Sequence, residues 1–346
     1  MLNSNEKSPE TVRHNLDTRA LSSASNRRHT TLLDGGTGRE LMRLGAPFRQ
    51  PEWSALALIE APEYVTKVHR RYIDSGAEVI TTNSYAVVPF HIGAQRFERD
   101  GAALAALAGR LARASADEAP RPVQVAGSLP PVCGSYRPDL FDAAVARPIL
   151  QRLVHALEPH VDVWLSETLS SEAEMALAGE VLAGTKRPWW VSYTLIDEAS
   201  HSREARLRSG EPVGSAVLHA VRLGASAVLF NCCQPELIGQ ALAAAKSALQ
   251  TAPASGTSEV VLLGAYANAF GPQTSAASAN SELSALRADL GPDEYLSWAR
   301  QWLAYGADIV GGCCGVGPEH IALLHDLLDQ AGERANTHGA YVSDDR

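Results

Sequence analysis

From residue 30 onward one theme recurs along the chain. A short apolar, β-branched run closes in a turn of small residues and leads into an amphipathic helical stretch. The runs are TTLLDGG (30–36), AEVITTNSY (77–85), PVQVAGSLPP (122–131), VDVWLSET (161–168), WWVSYTL (189–195), SAVLFNCC (226–233), VVLLGAYAN (260–268) and ADIVGGCC (307–314). Unbroken apolar runs are what strands of a parallel sheet need when helices cover both faces. The intervening segments carry apolar residues at helical spacing; the stretch 62–77 is one, with Gly76 placed as its C-cap. A helix-to-strand punctuation recurs at Ser75-Gly76-Ala77, Leu223-Gly224-Ala225 and Tyr305-Gly306-Ala307. Eight such units between residues 30 and 332 predict an α/β chain folded as a single (β/α)8 TIM barrel. The alternative is an open doubly wound sheet, but DGGTG (34–38) lacks the spacing of a dinucleotide-binding fingerprint.

Composition excludes some functions. The chain has 346 residues with 30 basic and 39 acidic side chains, a net charge of −9, and no basic stripe interleaved with aromatics. That disfavours a nucleic-acid partner and leaves small molecules as the expected ones. No apolar run approaches a membrane span. Residues 1–29 are polar and rich in Ser, Asn and Arg, without the apolar core of a secretory signal, and are expected to form a disordered leader. Residues 333–346 are expected to be a flexible tail. A cytoplasmic location follows from this reading, with reduced cysteines that act as metal ligands or reactive thiols more readily than as disulfides.

A barrel of this kind gathers its chemistry at the C-terminal ends of the strands. There the sequence places Asp34, Thr82, Asn83, Ser128, Glu167, Asn231 with Cys232, Asn268, and Cys313 with Cys314. Two connections are long, 196–212 and 268–291, and both are expected to overhang this mouth and cover a substrate.

Four of the five cysteines form adjacent pairs at two strand ends, Cys232-Cys233 and Cys313-Cys314. Adjacent cysteines rarely bridge each other, and no CxxC spacing suggests a redox motif. Zn2+ favours such sulfur donors. Gly311-Gly312 and Gly315 give the second pair the backbone freedom to turn both thiols onto one metal, whereas Cys232-Cys233 has no glycine beside it. The expected ligands are therefore Cys232, Cys313 and Cys314, with Cys233 packed in the core. Cys133 lies in a loop as a bystander, and His320 reads as a helix-end histidine. Three thiolates on Zn2+ leave one position open, where a substrate thiol loses its proton and stays nucleophilic. The negative charge favours a cationic electrophile such as a methyl sulfonium or a quaternary ammonium. The inferred chemistry is methyl transfer to a zinc-bound thiol.

At these residues the chain resembles the homocysteine S-methyltransferase family. GGCCGVGPEHI (311–321) is similar to that family's C-terminal cysteine signature, and NCC (231–233) to its Asn-Cys element. LLDGGTGREL (32–41), the stretch 53–85 and SETL (166–169) are similar to its opening turn, its second unit and its substrate-glutamate segment. The resemblance covers residues 30 to 332 and implies that Cys232, Cys313 and Cys314 bind zinc. It further implies that Asp34 and Glu167 hold the homocysteine ammonium, and that Thr82 and backbone amides near Gly35 receive its carboxylate. Trp53 is implied on the donor side, with Asn268 in the donor pocket. The donor expected first is S-methylmethionine or S-adenosylmethionine, and betaine second. Other readings stay open from the residues alone. Asp34 can be a turn-former, Glu167 a helix cap and Trp53 a packing residue. The chain can also methylate another small thiol, or be a non-catalytic zinc-binding barrel closed by Cys233.

Overall fold

A computed structural model describes residues 29–197, 204–252, 260–273 and 284–340, with side chains through 331. The expected leader lies outside the described residues except for His29. Eight strands alternate with helices. The first half runs β1 (Thr31–Leu32), α1 (Thr37–Arg43), α2 (Ser54–Glu60), α3 (Pro62–Asp74), β2 (Val79–Thr81), α4 (Pro89–Ile92), α5 (Ala94–Asp117), β3 (Gln124–Leu129), α6 (Ala143–Leu157) and β4 (Val163–Leu169). The second half runs α7 (Glu172–Leu182), β5 (Trp189–Tyr193), α8 (Val213–Arg222), β6 (Ala227–Asn231), α9 (Pro235–Thr251), β7 (Leu262–Tyr266), α10 (Pro292–Tyr305), β8 (Ile309–Val310) and α11 (Pro318–Ala340). Each of the eight apolar runs contains one strand. Helix α11 extends into the stretch read above as a tail.

All neighbouring strands pair in parallel, in the order β1-β8-β7-β6-β5-β4-β3-β2. The ring closes between the ends of that order. Leu33 bridges Val79, Glu78 N–H donates to Leu32 O at 2.8 Å, and Asp34 N–H donates to Val79 O at 3.0 Å. That closure rules out the open doubly wound sheet. Among the described residues, no helix is long and apolar enough to cross a membrane.

Strand side chains alternate between two surroundings. Outward residues such as Trp164, Val191, Tyr193, Val228 and Phe230 pack with the helices in the larger core. Inward residues form a separate apolar plug of Leu33, Val79, Ala126, Val163, Leu165, Trp190, Ala227, Leu229, Tyr266 and Ile309. Two residues beyond the plug the inward positions become Thr81, Ser128, Glu167, Ser192, Asn231 and Asn268. The strand period thus places an apolar floor beneath a polar mouth. The next helices start sharply there: Ser171 and Glu174 form a reciprocal capping box on α7, and Asp142 caps α6.

Candidate active site

The sulfur atoms of Cys232, Cys313 and Cys314 converge, all within 4.8 Å of one another. Cys232 Sγ and Cys313 Sγ are 3.0 Å apart. Cys232 is buried, while Cys313 and Cys314 are half-buried and open toward the mouth. Cys233 points the other way, fully buried in the helix-side core. Cys133 stands apart, its thiol 4.0 Å from Asp142 O.

The backbone solution differs from the expectation in one respect. Gly311 and Gly312 do not take left-handed φ values; a Cβ on Gly312 would overlap Val316, and one on Gly311 would overlap Leu33. Crowding between the first and last turns, not torsional freedom, demands these glycines. Gly315 does take φ +89°, and Cys232 reaches φ +54° without being glycine. Trp53 (φ 49°), Tyr136 (φ 66°) and Thr168 (φ 61°) complete the set of non-glycine left-handed residues among those described. Such backbone costs about 1–3 kcal/mol per residue and survives where neighbours enforce it. Asn231 enforces it at Thr168: its Oδ1 accepts the Thr168 N–H at 3.0 Å and its Nδ2 donates to Thr168 Oγ1 at 2.9 Å. Asn231 Oδ1 also accepts from Ser192 Oγ at 2.8 Å, and Thr194 Oγ1 donates to Cys232 O at 3.1 Å.

The two candidate carboxylates lie in the same mouth. Asp34 accepts from Thr81 N–H at 2.7 Å and from Thr81 Oγ1 at 2.9 Å. Burial raises its pKa to about 7 against these bonds. Glu167 accepts from Ser128 Oγ at 2.5 Å and from Tyr266 OH at 3.4 Å. Burial first, then the nearby Cys232 and Asp34 charges, push it up to about 8. Neither residue acts as a helix cap. Two buried acids with high proton affinity, and no cation paired with them among the described residues, form a site complementary to an ammonium.

Thr82 lies buried where β2 and β3 end. Ser84 Oγ donates to Ser128 O, so the Thr82 hydroxyl proton goes to Ser84 Oγ at 2.8 Å, while Thr82 Oγ1 accepts the Ser128 N–H at 3.0 Å. These bonds join the ends of β2 and β3. Gly35 stands where the first turn meets the last, and a Cβ there would overlap Val316 O and the Tyr72 ring. Trp53 is half-buried, edge-on to Phe48 with ring centroids 5.7 Å apart. Asn268 is fully buried, and neither of its side-chain amide atoms has a hydrogen-bond partner. Such a group calls for a water or a ligand atom.

The three thiols share their protons unequally. Hydrogen bonds from Cys232 and then Cys313 push Cys314 well down, while Cys313 is pushed up by Cys232, Cys314 and burial. Cys232 rises because the Cys314 sulfur and burial outweigh the lowering bond from Cys313. Soft donors this close can hold a metal ion.

The stems of both long connections are drawn over the mouth, although 198–203 and 274–283 lie outside the described residues. Asp197 accepts from Gln234 N–H at 3.1 Å, Gln273 N–H at 2.8 Å and Arg208 Nη2 at 3.0 Å, joining both stems to the turn after Cys233. The Arg208 guanidinium lies 4.4 Å from the Tyr136 ring centroid, and Tyr136 is buried beside the thiols. Tyr136, Arg208 and Asp197 escaped the sequence reading. A tyrosine in a loop and an ion pair across a variable connection have no periodicity to betray them.

A family model described as Homocysteine S-methyltransferase matches residues 31–328. The homocysteine S-methyltransferase of Escherichia coli (strain K12) is 30% identical over 85% of this chain and 93% of its own. Homocysteine S-methyltransferase 4 of Zea mays is 28% identical over 87% and 90%. The crystal structure of the Escherichia coli homocysteine methyltransferase MmuM, metallated form, superposes with a TM-score of 0.66 at 25% identity, covering 89% of this chain and 99% of that one. With the closed barrel and the sulfur cluster at its mouth, these matches show that the chain is a methyltransferase of the homocysteine S-methyltransferase family.

Proposed function

We propose that this protein transfers a methyl group from a sulfonium donor, S-methylmethionine or S-adenosylmethionine, to the thiol of homocysteine, giving methionine. The observation that carries this reading is the convergence of three cysteine sulfurs within 4.8 Å beside two buried, uncompensated carboxylates. The residues fit Zn2+: the donors are all sulfur, Cys313 and Cys314 are half-buried, and Cys233 is turned away. Zn2+ held by Cys232, Cys313 and Cys314 would supply a Lewis acid that keeps the acceptor thiol deprotonated at neutral pH.

The chain's own residues do the rest. Asp34 and Glu167 take the acceptor's ammonium between them. That cation favours both ionised forms, so amino-group binding brings their raised pKa values back down. The Thr82 hydroxyl and backbone N–H groups near Gly35 receive the acceptor carboxylate. The Trp53 ring offers a π face to the donor cation, and the unpaired amide of Asn268 offers a hydrogen bond in the donor pocket. An acceptor without an amino group would use neither carboxylate, which favours homocysteine over a simple alkanethiol.

The test is methionine formation from homocysteine by zinc-loaded protein offered S-methylmethionine, S-adenosylmethionine or betaine separately. Turnover with a sulfonium, abolished in Cys313→Ala together with bound zinc, is expected. Cys233→Ala should keep about one zinc per chain, since a packed thiol contributes no bond to the metal. Loss of zinc in Cys233→Ala, with no turnover from any donor, would favour a closed, non-catalytic site.

A further inference from the structure

Arg39 lies in α1, the helix that opens directly on the cysteine turn. Gly36, just before that helix, backs so closely on the last turn that an added Cβ would stand 2.5 Å from Cys313 O and 3.1 Å from Cys314 Cα. From there the Arg39 guanidinium donates to Ser284 O, in the connection that re-enters the mouth after β7.

The other arginines around it are neutralised. Arg208 pairs with Asp197, and Arg287 with Glu236 and Asp289. Glu40 on its own helix is taken by Arg43 and Arg71, and Glu319 on α11 by Arg43. Arg39 has no carboxylate within ion-pair distance among the described residues, and the Ser284 carbonyl uses only part of its fork. A half-buried guanidinium beside a catalytic mouth with donors to spare is matched to an incoming anion.

Its position separates it from the acceptor's ammonium site. Asp34 and Glu167 are bonded to Thr81, Ser128 and Tyr266 inside the barrel. Arg39 instead follows Gly38, where a Cβ would lie 3.5 Å from the Phe48 ring, and Phe48 stands edge-on to Trp53. An aromatic corner packs against Gly38, next in the chain to the residue that carries the guanidinium. The corner suits a sulfonium cation and the guanidinium a carboxylate, the two ends of an amino-acid sulfonium. We infer that Arg39 receives the carboxylate of the methyl donor and so restricts the site to sulfonium donors that carry one. This rests on the sulfonium-dependent reaction proposed above and adds a residue to its specificity.

The experiment compares the wild type with Arg39→Gln and Arg39→Lys, all zinc-loaded. S-methylmethionine is titrated calorimetrically without homocysteine, so that binding is read without turnover. Steady-state constants are then measured with S-methylmethionine and with its uncharged carboxamide. Arg39→Gln should raise the S-methylmethionine dissociation constant and KM by about tenfold or more, since a charge-assisted bond is lost. The homocysteine KM and the zinc content should not move. Arg39→Lys should recover part of the loss, as a point charge without the fork. The carboxamide should be a poor donor for the wild type and be insensitive to the substitution. Equal losses with both donors, a rise confined to the homocysteine KM, or a fall in bound zinc would each overturn the inference. They would make Arg39 a loop tether, an acceptor residue or a charge balance for the sulfurs. Absence of wild-type turnover would count against the proposed reaction, while the binding titration would still decide Arg39: weakened binding in Arg39→Gln supports it, and equal binding overturns it.

Discussion

Replacing Glu167 by Gln should strengthen the fold and weaken the function. Glu167 rises from 4.5 to about 8 because burial disfavours its charge. A group whose folded pKa lies above its unfolded value loses stability as pH climbs between the two, here from about 4.5 to about 8. At 1.36 kcal/mol per unit, holding the group in the fold costs roughly 3 kcal/mol at pH 7 and roughly 1 kcal/mol at pH 5. Gln is neutral throughout and keeps an oxygen for the Ser128 hydroxyl. Urea unfolding of reduced, chelated protein at pH 5, 6, 7 and 8 should show the variant more stable, with a gain that grows toward pH 8. The same change removes a charged partner for the acceptor's ammonium, worth about 1.5–3 kcal/mol. The homocysteine KM should therefore rise about 10- to 150-fold. A variant less stable at pH 7, a gain independent of pH, or an unchanged homocysteine KM would refute the reasoning.

Three further outcomes follow from the same geometry. Asn231→Ala leaves the Thr168 N–H and the Ser192 hydroxyl without their shared acceptor; it should cost about 2–4 kcal/mol in urea unfolding and lower zinc content, because Cys232 follows directly. Asp197→Asn strips the counter-charge from Arg208, whose side chain is only 5% exposed, and should cost about 3–5 kcal/mol, with much of the loss recovered in Asp197→Asn/Arg208→Met. His69 is fully buried with neither ring nitrogen bonded, and burial lowers its pKa from 6.5 to about 4. Its folded pKa lies below the unfolded one, so stability should fall as pH drops from 6.5 to about 4, by at most roughly 3 kcal/mol, and His69→Phe should flatten that limb.

The barrel was legible because strand burial leaves a direct mark on sequence. Runs such as VDVWLSET and SAVLFNCC are apolar on both faces, and only a covered parallel sheet needs eight of them. The three sulfurs were legible for a similar reason: scarce cysteines at two strand ends converge once the sheet closes. At Thr82 the sequence shows a hydroxyl at a strand end but not its partners, Ser84 and the Ser128 N–H. Gly311-Gly312 were recognised as necessary for the wrong reason, since the crowding against Leu33 and Val316 appears only once β8 pairs with β1 and the last turn folds back. Tyr136 and the Asp197–Arg208 pair left no trace, because contacts among irregular connections carry no period.

By itself, then, the sequence determined whatever depends on local pattern: the number of strand–helix units, the strand ends that carry reactive groups, and the cysteine of the first pair with no glycine to turn it. The tertiary structure alone decided which of those groups meet and in what state. Desolvation raised Asp34 and Glu167, Asn231 held Thr168 in a left-handed backbone, and the surrounding ion pairs left Arg39 without a carboxylate among the described residues. Burial and pairing are set by neighbours distant in the chain, and those neighbours exist only once the barrel has closed.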